Sequence, residues 1–213
     1  MTRLRRKAQP FYVYRERSVQ MSKGEKELQK KYGTKRRADA FYNNQMIDFL
    51  NLRMKEFIAA RDLLFISTSD AAGNCDASLR AGEPGFVRVL DDTTLIYPEY
   101  RGNGVMASMG NILENPHIGL MFIDFTEDQT GLHINGAARI VENDALHTLG
   151  LTEVDIQSMQ KIERGRAERW VAIDVHEAYI HCSKHIPVMK KQMAGPIRKS
   201  PEKNRGDYFG VKK

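Results

Sequence analysis

Cysteine is nearly absent from this 213-residue chain, which holds only Cys75 and Cys182. Two thiols cannot build the disulfide framework of a small secreted domain, and both read as reduced thiols of a cytoplasmic protein. No run approaches the roughly 18 consecutive apolar residues of a membrane span, which argues against a membrane partner. The N-terminal Arg3, Arg5, Arg6 and Lys7 are followed by QPFYVYRERS, which is no apolar signal-peptide core, so secretion is not expected. No internal repeat, P-loop, Ser/His/Asp arrangement or paired carboxylate set stands out. Tryptophan occurs once, and Trp170 reads as a packing residue.

What is present is unevenly distributed charge. The chain carries a formal +6, and its mean hydropathy of −0.51 fits a globular protein with polar appendages. Residues 1–60 hold +9, residues 61–183 hold −10 and residues 184–213 hold +7. Basic arms can bind nucleic acid, but an acidic centre is a poor platform for it. Solvated arms, or arms docked on a neighbouring subunit, are the simpler reading. Composition predicts a basic N-terminal arm over 1–35, one domain over 36–188 and a basic tail over 189–213.

Periodicity orders the middle. GEKELQKKYG (24–33) predicts a short helix ending at Gly33, and apolar residues three and four apart from Arg36 to Arg61 predict one amphipathic helix. LLFISTS (63–69) and CDASLR (75–80) read as strands around the turn residues AAGN. GFVRVLD (85–91) and TLIYPE (94–99) read as a hairpin, and MASMGNILEN (106–115) as a helix stopped by Pro116. HIGLMFID (117–124) and LHINGAARIV (132–141) form a further strand pair with a bulge at Gly136. Residues 144–167 read as helical and WVAIDVHEAYIHC (170–182) as the last strand. Six or seven mostly antiparallel strands with helices around them favour a mainly β, α+β protein built on a small barrel over a doubly wound sheet.

The blocks from Met46 to Ile140, closing with GNILENPHIGLMFID and LHINGAARI, and HEAYIHCSK (176–184) further on, resemble the pyridoxamine 5'-phosphate oxidase-related FMN-binding family over about residues 24–188. The resemblance implies a six-stranded antiparallel split β-barrel, a homodimer, and FMN in clefts between subunits. It implies cofactor-binding roles for Arg80 at the phosphate and for Phe86, Val87 and Arg88 along the ring, with Tyr97 and Pro98 flanking it. Asn103 and Ser108 would add donors near the phosphate. Residues 102–111 contain no Lys or Arg where relatives often place one, so Arg101 or a partner's basic residue would have to compensate. Read without the resemblance, Arg80 and Arg88 are surface arginines, and Val87 and Tyr97 are barrel residues.

The implied activity is an FMN-dependent oxidoreductase with an undefined small-molecule substrate or nicotinamide donor. A flavin or haem storage protein, and a barrel that has lost its cofactor, remain as alternatives. Gly102, Gly104 and Ala107 also imitate a dinucleotide-binding G-x-G-x-x-A, with Asp124 twenty residues beyond Gly104. His176, His181, Cys182 and His185 form a cluster that could suggest a metal or haem site, though as residues at the end of a strand they read better as strand-end and interface side chains.

Overall fold

The computed structural model describes residues 21–190. The first 20 residues and the tail from 191, where much of the basic charge lies, fall outside the described residues. Helix α1 (Lys23–Lys31) begins with a capping box. The Glu25 N–H donates to Ser22 Oγ at 3.1 Å, and the Ser22 N–H donates to Glu25 Oε2 at 2.7 Å. Tyr42 ties this helix to α2 (Lys35–Gln45), donating its hydroxyl to Glu25 Oε1 at 3.2 Å and accepting from Gln29 Nε2 at 2.9 Å.

The single helix expected over 36–61 is two helices. After α2 the chain extends through β1 (Met46–Ile47), which pairs with the last strand at Tyr179 and Ala178. The Leu50 N–H donates to the Asp92 carbonyl at 2.6 Å, and Asn51 restarts the helix as N-cap of α3 (Leu52–Ala59), accepting from the Met54 N–H at 3.0 Å. Helical spacing of apolar residues continues across the break, although α2 buries no residue and α3 buries Ile58. A sheet edge in need of a partner and an asparagine cap override that spacing.

Six longer strands carry the fold: β2 (Leu63–Ser69), β3 (Cys75–Ala81), β5 (Thr94–Tyr100), β6 (His117–Ile123), β7 (Gly131–Val141) and β8 (Ala167–His181). Between them, β4 (Arg88–Val89) is only two residues long, because Phe86 and Val87 leave the expected strand to enter the core. All pairings are antiparallel and the order is β3-β2-β6-β7-β8-β5-β4, with β1 added beside β8. This is the expected antiparallel split β-barrel with flanking helices. Gly136 sits at the predicted bulge, where a Cβ would lie 2.3 Å from the Asp174 carbonyl oxygen.

The stretch predicted as helical, 144–167, divides. A 3-10 helix covers Asn143–Leu149, α5 covers Glu153–Glu163 behind a Thr152/Asp155 capping box, and β8 has already begun at Ala167. The interior of the barrel is filled by Leu64, Ile66, Leu95, Tyr97, Leu120, Phe122, Ile134, Val171 and Ile173. A second cluster, around Trp170, Ile96, Ala172, Leu146 and Met159, lies under α5. β8 is therefore buried on both faces over 170–173, which is why its sequence there is continuously apolar. Each such large side chain contributes roughly 1.5–3 kcal/mol on burial. The Trp170 indole N–H, fully buried, donates to Asn143 Oδ1 at 2.9 Å. Helix α4 (Ala107–Glu114) is fastened to β2 by Asn111 Nδ2 on Thr68 Oγ1 at 3.0 Å and Asn115 Nδ2 on Ser69 Oγ at 2.9 Å. Among the described residues no helix is long and apolar enough to cross a membrane.

Candidate functional site

Strand β3 has its polarity inverted. Asp76, Ser78 and Arg80 occupy the more sheltered face, while Cys75, Ala77, Leu79 and Ala81 point outward and are exposed. A barrel strand normally does the reverse. The sheltered polar row opens onto a cleft of about 740 Å³. The cleft is walled by β3, by Glu99 and Tyr100 at the end of β5, by the loop Arg101–Met106, by the first turn of α4, and by Glu168 and Arg169 of β8. In the sheet order β3 is one end and β5 is next to the other, so the cleft occupies the split between them.

A salt bridge crosses that split. The Arg80 Nε–H donates to Glu99 Oε2 at 2.9 Å and Nη2 donates to Glu99 Oε1 at 3.2 Å, a two-pronged contact. Nη1 donates to Ser78 Oγ at 2.6 Å and to the Leu79 carbonyl at 3.3 Å. Arg101 is exposed, and among the described residues it makes no ion pair or side-chain hydrogen bond. Arg169 lies 3.5 Å from Glu168 and 3.9 Å from Glu142. The cations that the loop 102–111 lacks thus come from β3, β8 and the residue preceding the loop.

The backbone of that loop is shaped for close approach. Gly104 has φ +85°, which favours glycine, and its Cβ position faces open space. Met106 takes the left-handed region at φ 55° as N-cap of α4 and supplies no side-chain cap. A methionine there is strained, and strain of this kind gathers at ligand sites. The first-turn residues Ala107, Ser108 and Met109 line the cleft, so an uncapped helix N-terminus faces the arginines. Ser108 Oγ donates to Asp76 Oδ2 at 2.8 Å, joining α4 to β3.

Of the residues singled out in the sequence, Arg80, Arg101, Asn103 and Ser108 meet in this cleft. Asn103 spends its Oδ1 on the Val105 N–H at 3.0 Å, which shapes the loop. Phe86, Val87 and Tyr97 are buried in the barrel interior, leaving only their backbone for a ligand. Pro98 is buried opposite Trp170. Arg88 is half-buried on β4, and its Nε, like the Tyr97 hydroxyl, is buried without a hydrogen-bond partner. Burial raises the Tyr97 phenol well above its ordinary pKa, with Arg80 opposing and Glu99 reinforcing the shift. Tyr100 is raised first by burial and then by its 2.6 Å hydrogen bond to the buried Glu163. Both tyrosines therefore keep their protons at neutral pH.

Sequence reading missed Asp76, Ser78, Glu99 and Arg169. The signal for the first two was the period-two placement of polar residues in CDASLR, legible once the buried face of β3 is known. Nothing in the sequence pairs Glu99 with Arg80, 19 residues away.

The histidine cluster does not assemble as the sequence grouped it. His176 is exposed on one face of β8, while His181 turns to His133 on β7, with Nδ1 and Nε2 2.8 Å apart. Among the described residues no three His, Cys, Asp or Glu side chains are placed to hold a metal ion. The dinucleotide-like glycines are followed by α4, but the strand ahead of them pairs antiparallel, and Asp124 is buried against Arg61.

Comparison with curated proteins finds no match. Solved structures resemble the chain at low identity. HupZ from Group A Streptococcus is 24% identical with a TM-score of 0.46, covering 61% of this chain and 92% of that one. A candidate pyridoxamine 5'-phosphate oxidase from Lactobacillus delbrueckii is 19% identical with a TM-score of 0.46, covering 63% and 98%. An FMN-binding protein from Syntrophomonas wolfei is 11% identical with a TM-score of 0.43, covering 75% and 98%. The family model for pyridoxamine 5'-phosphate oxidase matches residues 50–182, more than half the chain and every strand from β2 to β8, and the chain belongs to that family.

Proposed function

We propose that this protein binds FMN in the cleft at the barrel's split and acts as an FMN-dependent oxidoreductase on a small molecule, with a nicotinamide as one possible donor. The observation that carries the reading is the meeting of Arg101 with the uncapped N-terminus of α4 on one cleft, which the Arg80–Glu99 pair and Arg169 also line. That donor set suits a phosphate monoester, which is held by charge-assisted hydrogen bonds and by helix N–H groups. Arg101 and the first turn of α4 would hold the phosphate. Asp76 and Glu99 carry acceptor oxygens suited to the hydroxyls of a ribityl chain. The backbone of Phe86 and Val87, whose side chains are locked in the core, would meet the ring edge. When bound, the flavin supplies hydride or electron transfer, and the protein orients it and keeps water away.

A second copy of the chain completes this reading. Leu79, 53% exposed, pairs across strands with Phe65, 37% exposed, on the outward face of the sheet. The same row continues through Met121, His133 and Tyr179. Val105 and Met106 are exposed at the cleft's lip. An inverted edge strand with apolar residues outward favours a partner surface, and the partner would supply the missing wall of the cleft.

Two measurements test the proposal. Freshly purified protein, or protein mixed with FMN, should show flavin bands near about 370 and 450 nm that stay with the protein on gel filtration. Light scattering should give about twice the 24.4 kDa chain mass. Protein that is monomeric and binds no FMN at micromolar concentration refutes the reading.

A further inference from the structure

We propose that Glu99 is a positioning residue that sets phosphate specificity, because its two-pronged grip on Arg80 makes the pair electrically silent toward a bound phosphate and leaves recognition to Arg101. The inference rests on the FMN reading above and goes further by assigning the cations of the cleft different roles.

The argument is a count of donors. A guanidinium has five N–H groups. In Arg80 the Nε–H and one Nη2–H are given to the two Glu99 oxygens, and both Nη1 hydrogens go to Ser78 Oγ and the Leu79 carbonyl. One Nη2–H remains. Arg80 therefore cannot present the parallel pair of N–H groups with which arginine grips a phosphate. Its positive charge is also matched by a carboxylate in direct contact, with both side chains 15% exposed.

Arg101 is the contrasting case. It borders the same cleft beside the uncapped end of α4, and among the described residues its guanidinium has no carboxylate partner. Glu99 thus converts the arginine expected at the phosphate into part of a neutral wall, and it fixes the Arg80 side chain across the split.

The test is a double-mutant cycle read as the ratio of riboflavin to FMN dissociation constants, measured by flavin fluorescence. The two ligands differ only in the phosphate. In Glu99→Gln the Arg80 charge is uncompensated, and the ratio should rise roughly fivefold or more. In Arg80→Ala the Glu99 charge is uncompensated and repels the phosphate, so the ratio should fall by a similar factor of about five. The double variant should return to within about threefold of wild type, as expected if the pair is silent.

Two results overturn the inference while leaving the cofactor reading in place. One is a double variant that stays as poor as Arg80→Ala, which would make Arg80 itself the phosphate ligand. The other is a ratio unchanged in both single variants while their melting temperatures drop, which would make the pair a structural latch only. If an Arg80→Ala protein does not fold, Arg80→Met in both backgrounds replaces it in the cycle. Failure of the wild type to bind either flavin overturns the cofactor reading, and this inference with it.

Discussion

Arg61–Asp124 and Arg80–Glu99 are two arginine–carboxylate pairs in one barrel, similar in burial and opposite in setting. Arg61 Nη1 lies 3.0 Å from Asp124 Oδ2, with side chains 17% and 3% exposed. Asp124 also accepts from the Thr126 N–H and hydroxyl and from the N–H groups of Glu127 and Asp128, and so closes the turn between β6 and β7. Burial alone would raise the Asp124 carboxyl, but these donors and Arg61 hold it far below the usual carboxylate range. Arg61 also packs over the Phe57 ring at 4.6 Å. Arg61 Nε is buried without a hydrogen-bond partner, and neither Arg61 nor Asp124 lines the cleft. The Arg80–Glu99 pair borders open space, a bare helix end and Arg101, which has no carboxylate partner among the described residues. Burial does not separate a staple from a site here; the neighbours on the remaining side do.

The largest expected effect tests the staple. Asp124→Ala leaves the Arg61 guanidinium buried and unpaired and should cost about 3–5 kcal/mol in urea unfolding, with FMN affinity of the folded fraction unchanged. An effect below about 1 kcal/mol would remove the contrast drawn between the two pairs. Arg101→Ala should behave the other way. FMN affinity should fall roughly 10- to 100-fold, riboflavin affinity should stay level, and stability should change by no more than about 0.5 kcal/mol.

Gly136→Ala probes the bulge that lets β7 follow β8, at a position that does not line the cleft. A Cβ 2.3 Å from the Asp174 oxygen forces the backbones apart, and a loss of roughly 1–3 kcal/mol in chemical unfolding is expected. Flavin binding by the folded protein should be spared.

The smallest effect is a pH dependence. Burial, and then the charge of nearby His181, hold His133 below the ordinary histidine pKa. A histidine whose folded pKa is lowered binds fewer protons in the folded state. The stability at stake is therefore complete above the unfolded value of about 6.5 and declines as pH falls below it. Asp124 shows the carboxylate case, in which its contribution is complete above an unfolded value of about 3.8 and is lost only in stronger acid. Urea midpoints measured from pH 8 to 3 should fall with pH, and His133→Asn should flatten the slope between pH 8 and 5 while leaving the slope below pH 4 in place.

Local signals were read where local physics decides. The strands 63–69, 75–81 and 117–123, the helix before Pro116 and the bulge at Gly136 were legible because alternation, proline and glycine act within a few residues. The helix over 36–61 was misjudged because Met46 and Ile47 pair with residues 179 and 178, a partner more than 130 positions away. Ligand-site reading divided the same way. Arg80, Arg101, Asn103 and Ser108 lie on elements that meet at the split, whereas the side chains of Phe86, Val87 and Tyr97 went to the core. Family resemblance pointed to both groups, and only packing separates them.

By itself the sequence determined the antiparallel strand set, the family and the absence of a basic residue from 102–111, because alternation, turn chemistry and motif order are written in neighbouring residues. Only the tertiary structure decided which arginine is free. That depends on whether a carboxylate from a strand at the far side of the split comes within hydrogen-bond reach. Closing the sheet brings Glu99 to Arg80 and leaves Arg101, beside the bare end of α4, without a carboxylate partner among the described residues.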